Sequence, residues 1–306
     1  MRVAAIDCGT NSIRLLVADV VGRQLVDVRR RMEIVRLGQG VDRTGRIDRE
    51  ALKRTLGALR DYASEIKRLE VDAVRMVATS ATRDAANRKD FVNGVHEILG
   101  IEPEIVSGDE EANLSFSGAT HELSSSSPVL VVDIGGGSSE FVLGSETVTS
   151  SVSVDIGCVR LTERHLHHDP PTPAEREAAA ADIDGALEAV WAVVPVVQAR
   201  TLVGLAGSVT TVAAMALGLP AYDASRIHHT HINQIEVGRV AERFLSMTHN
   251  ERAALPFMHP GRVDVIGAGA MVLARLMRRF DFAEVVVSEH DILDGIAWSI
   301  ATDSGR

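Results

Sequence analysis

Two short stretches of this chain combine residue types suited to holding phosphate. Asp7-Cys8-Gly9-Thr10-Asn11-Ser12 and Asp133-Ile134-Gly135-Gly136-Gly137-Ser138 share Asp, Gly and Ser at the same offsets. Each follows a hydrophobic run, Val3 to Ile6 or Val129 to Ile134, and each precedes another, Ile13 to Val20 or Ser139 to Leu143. A strand that ends in such a segment and turns back sharply leaves several backbone N–H groups in one concavity. Glycine lets an anion approach that concavity closely. Gly9, Thr10, Asn11 and Ser12, and Gly135, Gly136, Gly137 and Ser138, are therefore candidate phosphate-binding residues. Either loop alone reads equally well as a plain glycine hairpin. Two matching loops, spaced roughly one domain length apart, favour a duplicated domain over a short-period repeat. In a duplicated fold the two loops are expected to face each other across a cleft, gripping a phosphate chain together with a hard divalent cation.

The elements that must position these loops are legible in outline. Asp48 is a natural N-cap for a helix carrying Leu52, Leu56, Leu59, Ala63, Ile66 and Leu69 at helical spacing. Gln24 to Leu37 reads as one or two strands and Val71 to Thr79 as a strand followed by a polar turn from Ser80 to Arg88. A helix is expected from Asp90 to Leu99, with Gly100 as its stop. Ile101 to Val106 reads as extended and Asp109 to Ala119 as helical. The serine run Ser124 to Ser127 before Pro128 marks the expected domain boundary, giving domains 1–123 and 124–306, with the last helix packing back on the first. Further on come a helix from about Thr172 to Val197, a strand Thr201 to Leu205, a helix opened by Ala206-Gly207-Ser208, two more helices and a strand Glu284 to Val287.

Composition narrows the function classes. The 306 residues carry a net charge of −10, which argues against a general nucleic-acid or membrane-surface binder. All but three of the 32 basic residues are arginine, so the planar fork that suits phosphate is abundant. Two cysteines, Cys8 and Cys158, make no disulfide framework, and both read as buried filler. The longest apolar stretch, Leu187 to Val197, is broken by Glu188 and Pro195, and Asp7 cuts short any signal-peptide core. A cytoplasmic protein is expected. His165, His167, His168, His228, His229 and His231 read as surface-loop histidines rather than metal ligands.

Five segments in order resemble one family. They are the two loops above, Ala78-Thr79-Ser80-Ala81-Thr82-Arg83, Gly108-Asp109-Glu110-Glu111-Ala112 and Gly204-Leu205-Ala206-Gly207-Ser208. Together they look like the exopolyphosphatase / guanosine pentaphosphate phosphohydrolase family, in its short two-domain form. The resemblance implies an α/β fold of two actin-like (ribonuclease-H-like) domains related by duplication, with the active site in the interdomain cleft. It implies hydrolysis of a terminal phosphoanhydride in inorganic polyphosphate or guanosine pentaphosphate. It also implies Mg2+ or another hard divalent cation.

Residue by residue, the resemblance makes Glu111, 22 residues ahead of Asp133, the base that activates water. Without it, Glu110 and Glu111 would read as a solvated helix N-terminus. Asp133 and Glu140 would hold the metal, and Arg83, Arg14 and Arg262 would contact substrate. Ser288 to Gly295 departs from the family's usual Gly-Leu-Arg-Glu-Gly, which puts a preference for long chains in doubt. An acidic body also favours short chains, although a homodimer lining up two basic clefts is compatible with the sequence. Two other readings are an actin-like nucleotide-binding protein or sugar kinase, which would need an adenosine pocket, and a catalytically weak sensor. Retention of Glu111, Asp133 and Glu140 speaks against the sensor.

Overall fold

The computed structural model of the chain describes residues 1–22, 24–121, 123 and 127–303, with 302 and 303 as backbone only. Ser124 to Ser126, in the loop expected to mark a domain boundary, lie outside the described residues. The chain forms two compact units, Met1–His121 with Ile292–Arg306, and Glu122–Asp291.

The first unit opens with β1 (Arg2–Cys8), β2 (Ser12–Val21) and β3 (Gln24–Ile34), followed by α1 (Val41–Thr44) and α2 (Arg49–Arg68). Then come β4 (Ala73–Ala78), α3 (Ser80–Asp84), α4 (Arg88–Leu99), β5 (Glu104–Ile105) and α5 (Gly108–Thr120). The sheet order is β3-β2-β1-β4-β5, with β1–β2 and β2–β3 antiparallel and β1–β4 and β4–β5 parallel. Strand β1 is buried on both faces, as parallel neighbours with helical cover require. Ala4, Ile6 and Cys8 pack with Leu59, Tyr62, Phe91 and Val95 from α2 and α4. Val3 and Ala5 face the other way, toward Leu114 of α5. Asp7 has the parity of Val3 and Ala5, so it lies on the same face of the sheet as they do.

The second unit contains β6 (Val129–Ile134), β7 (Ser139–Gly144), β8 (Val148–Val154), α6 (Cys158–His165), α7 (Pro173–Val193), β9 (Thr201–Leu205) and α8 (Ala206–Ala216). It continues through α9 (Ala224–Ile227), β10 (His231–Asn233), α10 (Gln234–Ser246), α11 (His249–Ala253), α12 (Ile266–Arg279) and β11 (Glu284–Val287). Its sheet order is β10-β11-β9-β6-β7-β8. Read from β8, the pairing repeats the first unit: two antiparallel neighbours, then parallel β6–β9 and β9–β11, with β10 added at the edge. One topology occurring twice is the signature of a duplicated ribonuclease-H-like fold.

The chain then returns to the first unit in α13 (Ile292–Asp303). Ile292, Leu293, Ile296 and Ala297 bury against Val3, Ala5, Leu16 and Leu114. Gly295 makes the closest approach, because a Cβ there would stand 2.0 Å from the Leu114 carbonyl oxygen. Helix α13 thus lies on the sheet and α5 packs against α13.

Several local expectations change. The polar turn after β4 contains a helical turn, α3, whose Ser80, Ala81 and Thr82 are buried. Pro195 stops α7 short of Val197, and a 3-10 turn follows at Val196–Gln198. Only Glu104–Ile105 of the Ile101 to Val106 segment pairs as strand. Strand β8 and helix α6 were not expected. Thr149 of β8 is exposed and its other residues are all half-buried, so no alternation marks it, and α6, though one-sided, is only two turns long.

Candidate functional site

In the first unit the loop after β1 is held by its carbonyls. Gly9 N–H donates to Ser12 O at 2.9 Å, closing the turn. Thr10 O accepts from Gly38 N–H at 2.9 Å, and Asn11 O accepts from Val35 and Arg36 N–H at 3.1 and 2.9 Å. A planar trans peptide puts each C=O opposite the following N–H. The N–H groups of Asn11 and Ser12 therefore point away from the 35–38 segment, as an anion nest needs. Gly38 permits the approach, since a Cβ there would lie 2.3 Å from Thr10 Cγ2. Thr10 Oγ1 and Ser80 Oγ are 2.9 Å apart, tying this loop to the turn after β4.

That turn carries Arg83. Its Nη1 donates to Glu111 Oε2 and to Val106 O, both at 3.1 Å. Glu111 is only 8% exposed, although it lies in the first turn of α5, where acidic residues usually face water. Its neighbour Glu110 is exposed and pairs with Arg75 at 3.1 Å. The solvated-helix-end reading thus fits Glu110 and Asp109 but not Glu111. Arg14 stands directly opposite Asp7 across β1–β2, and its Nε and Nη2 donate to Asp7 Oδ2 at 2.9 and 2.7 Å.

The second unit repeats the loop. Gly135 N–H donates to Ser138 O at 3.1 Å. The carbonyls of Gly135 and Gly136 accept from Cys158, Val159 and Arg160 N–H at 2.9–3.1 Å, at the start of α6. Gly137 O accepts from Arg160 Nε at 2.6 Å. By the same peptide geometry, Gly136, Gly137 and Ser138 all turn their N–H groups to the opposite side. Gly157 is what lets α6 come this near, because a Cβ there would sit 2.4 Å from Gly136 O. Asp133 and Glu140 are in register on β6 and β7, 7% and 1% exposed. Ser153 of β8 donates to Glu140 Oε1 at 2.7 Å.

Arg262 ends a 3-10 turn, Pro260–Arg262, with its guanidinium over Gly207, where a Cβ would collide with Nη1. Ala206, just ahead, holds φ at 65°, a strained conformation for a residue with a side chain. Cys158 hydrogen-bonds Ser208 beside them, but burial keeps its thiol above the ordinary range. Burial and then the charge of Asp7 raise the Cys8 thiol much further. Neither cysteine is an activated nucleophile.

The histidines divide. His228 and His229 are half-buried and stacked at 3.7 Å, with His290 4.6 Å from His228 and Glu289 N–H donating to His228 Nδ1. His231 is exposed on Glu284, and His165 pairs with Asp182. Among the described residues no group of three or more His, Cys, Asp or Glu is arranged to hold a metal. Nor is any described helix long and apolar enough to cross a membrane.

Arg160, Gly157 and Ser153 were missed by sequence reasoning. Each acts on a loop or carboxylate distant in the chain, and no local pattern distinguishes it. The spacing between Gly157 and the glycine loop carries no periodic signal.

The duplicated sheet topology, the two carbonyl-tethered loops and the buried acidic groups define a phosphate-handling α/β protein of two units. Residues 16–303 match the Ppx/GppA phosphatase family, and the chain belongs to that family. It is 52% identical over 314 aligned residues to Exopolyphosphatase 2 of Mycobacterium tuberculosis (strain ATCC 25618 / H37Rv), covering 98% of each chain. Among solved structures, an exopolyphosphatase-like protein matches 99% of this chain and 100% of its own, at 42% identity and a TM-score of 0.95. The Aquifex aeolicus member of the Ppx/GppA family matches 100% and 99%, at 29% identity and a TM-score of 0.84.

Proposed function

We propose that this protein is a phosphoanhydride hydrolase that releases terminal orthophosphate from inorganic polyphosphate in the cytoplasm, with short chains favoured. The observation that carries this reading is the Glu111 carboxylate, buried in a first helical turn and held by Arg83. A water attacking the terminal phosphorus loses a proton to Glu111 as the bridging P–O bond breaks and the shortened chain leaves. Arg83 orients Glu111 and places positive charge beside the attacked group. The amides of Asn11 and Ser12 and of Gly136, Gly137 and Ser138 take non-bridging phosphate oxygens, the Gly9 and Gly135 N–H groups being spent on closing their turns, and the Arg262 guanidinium adds a charged donor. Arg14 adds charge at the base of the first loop.

Asp133 and Glu140 would hold a divalent cation, for which magnesium is the natural choice. Two buried carboxylates on adjacent strands supply hard oxygens, and Mg2+ commonly uses one or two carboxylates beside water and phosphate. When bound, the cation neutralises phosphate charge.

The 52% identity to a protein named Exopolyphosphatase 2 supports polyphosphate over guanosine pentaphosphate as substrate. The net charge of −10 supports short chains, since phosphates beyond the loops meet an acidic surface. The test is phosphate release with magnesium from tripolyphosphate, size-fractionated long polyphosphate, guanosine pentaphosphate and ATP at fixed ionic strength. Tripolyphosphate should give the highest kcat/KM per chain end. A specificity constant rising steadily to hundreds of phosphates would refute the chain-length argument, and a preference for guanosine pentaphosphate would replace the substrate.

A further inference from the structure

Arginine is seldom buried unless its guanidinium is engaged on all sides, and Arg252 of α11 is only 7% exposed. Its donors reach three stretches of chain. Nε donates to Val263 O at 2.8 Å, Nη1 to Phe244 O and Met247 O at the end of α10, and Nη2 to Asp169 Oδ1 at 2.8 Å. One carboxylate balances the charge, and the remaining bonds hold backbone carbonyls in a fixed relation.

Val263 directly follows Arg262. The turn that carries Arg262 is closed on itself. Gly261 N–H donates to His259 Nδ1 at 3.1 Å, Arg262 N–H to His259 O at 2.9 Å and Val265 N–H to Arg262 O at 3.1 Å. Such a turn moves as one piece, so the aim of Arg262 depends on what ties that piece to the rest of the unit. The Val263 side chain packs in the core, which resists withdrawal but sets no direction. His249 Nε2 lies 3.2 Å from Asp264 Oδ1, but the two side chains are 50% and 41% exposed, where an ion pair is worth little. The bond from Arg252 is buried, charge-assisted and directional.

Direction matters at the other end of Arg262. Its guanidinium lies over Gly207 in the first turn of α8, so close that a Cβ on Gly207 would collide with Nη1. A helix N-terminus carries partial positive charge, so α8 works against a cation there rather than drawing it in. Whatever else the guanidinium touches, its seat depends on backbone delivered at the right angle.

The geometry points to Arg252 as a positioning residue for Arg262, its hold on the Val263 carbonyl setting the angle at which Arg262 meets phosphate. This rests on the reading of Arg262 as a substrate-binding residue. Arg252 then acts through affinity rather than through the chemical step.

The test is a double-mutant cycle of Arg252→Lys and Arg262→Ala on the full chain, with kcat and KM measured for tripolyphosphate and magnesium. Lysine keeps the charge beside Asp169 but lacks the fork that reaches the carbonyls together. Arg252→Lys should raise KM about tenfold, the scale of one charge-assisted hydrogen bond, with kcat within about twofold of wild type. In the Arg262→Ala background, whose own KM is raised, the same substitution should change KM by less than about twofold. Arg176→Ala is the control, because Arg176 holds Leu245 O and Pro171 O rather than Val263 O. It should lower Tm and leave KM as in wild type. If Arg252→Lys does not fold, Asp169→Ala takes its place in the cycle with the same expected pattern, since it frees one arm of the fork at an exposed carboxylate. An unchanged KM, an equal rise in both backgrounds, or a matching rise in Arg176→Ala would overturn the positioning role. Wild-type kinetics in Arg262→Ala would instead overturn the substrate role of Arg262, and the inference with it.

Discussion

Gly157→Ala is the substitution that most directly tests whether the glycine loop must lie where it does. Gly157 has φ −148°, a conformation alanine adopts freely, so the backbone itself is not strained. The obstacle is steric. The new Cβ would stand 2.4 Å from Gly136 O, 2.5 Å from Gly136 C and 2.7 Å from Gly137 N, whereas ordinary contact begins at 3.4 Å. All three atoms are backbone, so no side chain can swing aside, and the loop or α6 must retreat by about 1 Å. That retreat stretches the bonds from Cys158 and Val159 N–H to Gly135 and Gly136 O, now 3.0 and 2.9 Å. Overpacking of this kind costs about 1–3 kcal/mol. For a unit of this size that lowers Tm by roughly 3–10 °C. A reacting group misplaced by about 1 Å costs on the order of a hundredfold in rate, and kcat/KM should fall by that factor. Tripolyphosphate turnover and thermal unfolding would be measured together with Gly185→Ala as control. The Gly185 Cβ on α7 would meet no atom within 4 Å. That control should leave turnover unchanged and raise stability by up to ~1 kcal/mol through helix propensity. Wild-type kcat/KM in Gly157→Ala would refute the claim that the α6–loop contact sets the anion site.

Three further outcomes are expected. Glu111→Gln should lower kcat by about a hundredfold or more with little change in substrate affinity, while Glu110→Gln stays active; the reverse pattern in steady-state kinetics would move the base by one position. Gly295→Ala should also lower kcat while reducing Tm, because its Cβ would drive into the Leu114 carbonyl and displace the helix that carries Glu111. An unchanged kcat would show that α5 tolerates the shift. Glu175 has its pKa lowered to about 2 by hydrogen bonds from His168, then from the backbone N–H groups of Thr172 and His167. A lowered carboxyl stabilises the fold above its unfolded pKa of about 4.3 and loses that contribution as pH falls toward the folded value. The urea midpoint of Glu175→Gln should therefore lie below wild type at pH 6, with the gap narrowing below about pH 4. A gap constant from pH 6 to pH 3 would contradict this.

The strands and loops that recur in both units were legible because each is a local feature. Val3 to Ile6 and Val129 to Val132 are unbroken apolar runs that lead into Asp and then glycine, and such runs favour buried strands. The α2 helix announced itself in the same way, with Asp48 accepting from Glu50 and Ala51 N–H as its cap. Weakly patterned elements were not legible. β8 is all half-buried along its inner stretch, and α3 is a single turn, Ser80 to Asp84, of which only the small Ser80, Ala81 and Thr82 are buried.

Side-chain partnerships lay further from the sequence still. Glu110 and Glu111 are chemically identical neighbours, and helical spacing assigns neither to the interior. Burial of Glu111 follows from how α13 and Arg83 seat α5, and the α5–α13 contact joins segments some 180 residues apart in the chain. Arg14 could be numbered as a candidate from the sequence, but its attachment to Asp7 depends on the β1–β2 register, and a slip of one residue would turn it to the other face. Arg160 and Gly157 matter only because α6 folds back onto a loop that precedes it by the β7–β8 hairpin. Covalent neighbours and periodicity set the strands, helices and turn chemistry. Which charges meet, and which amides are left facing an anion, is set by long-range packing, because those energies exist only once distant segments share a boundary.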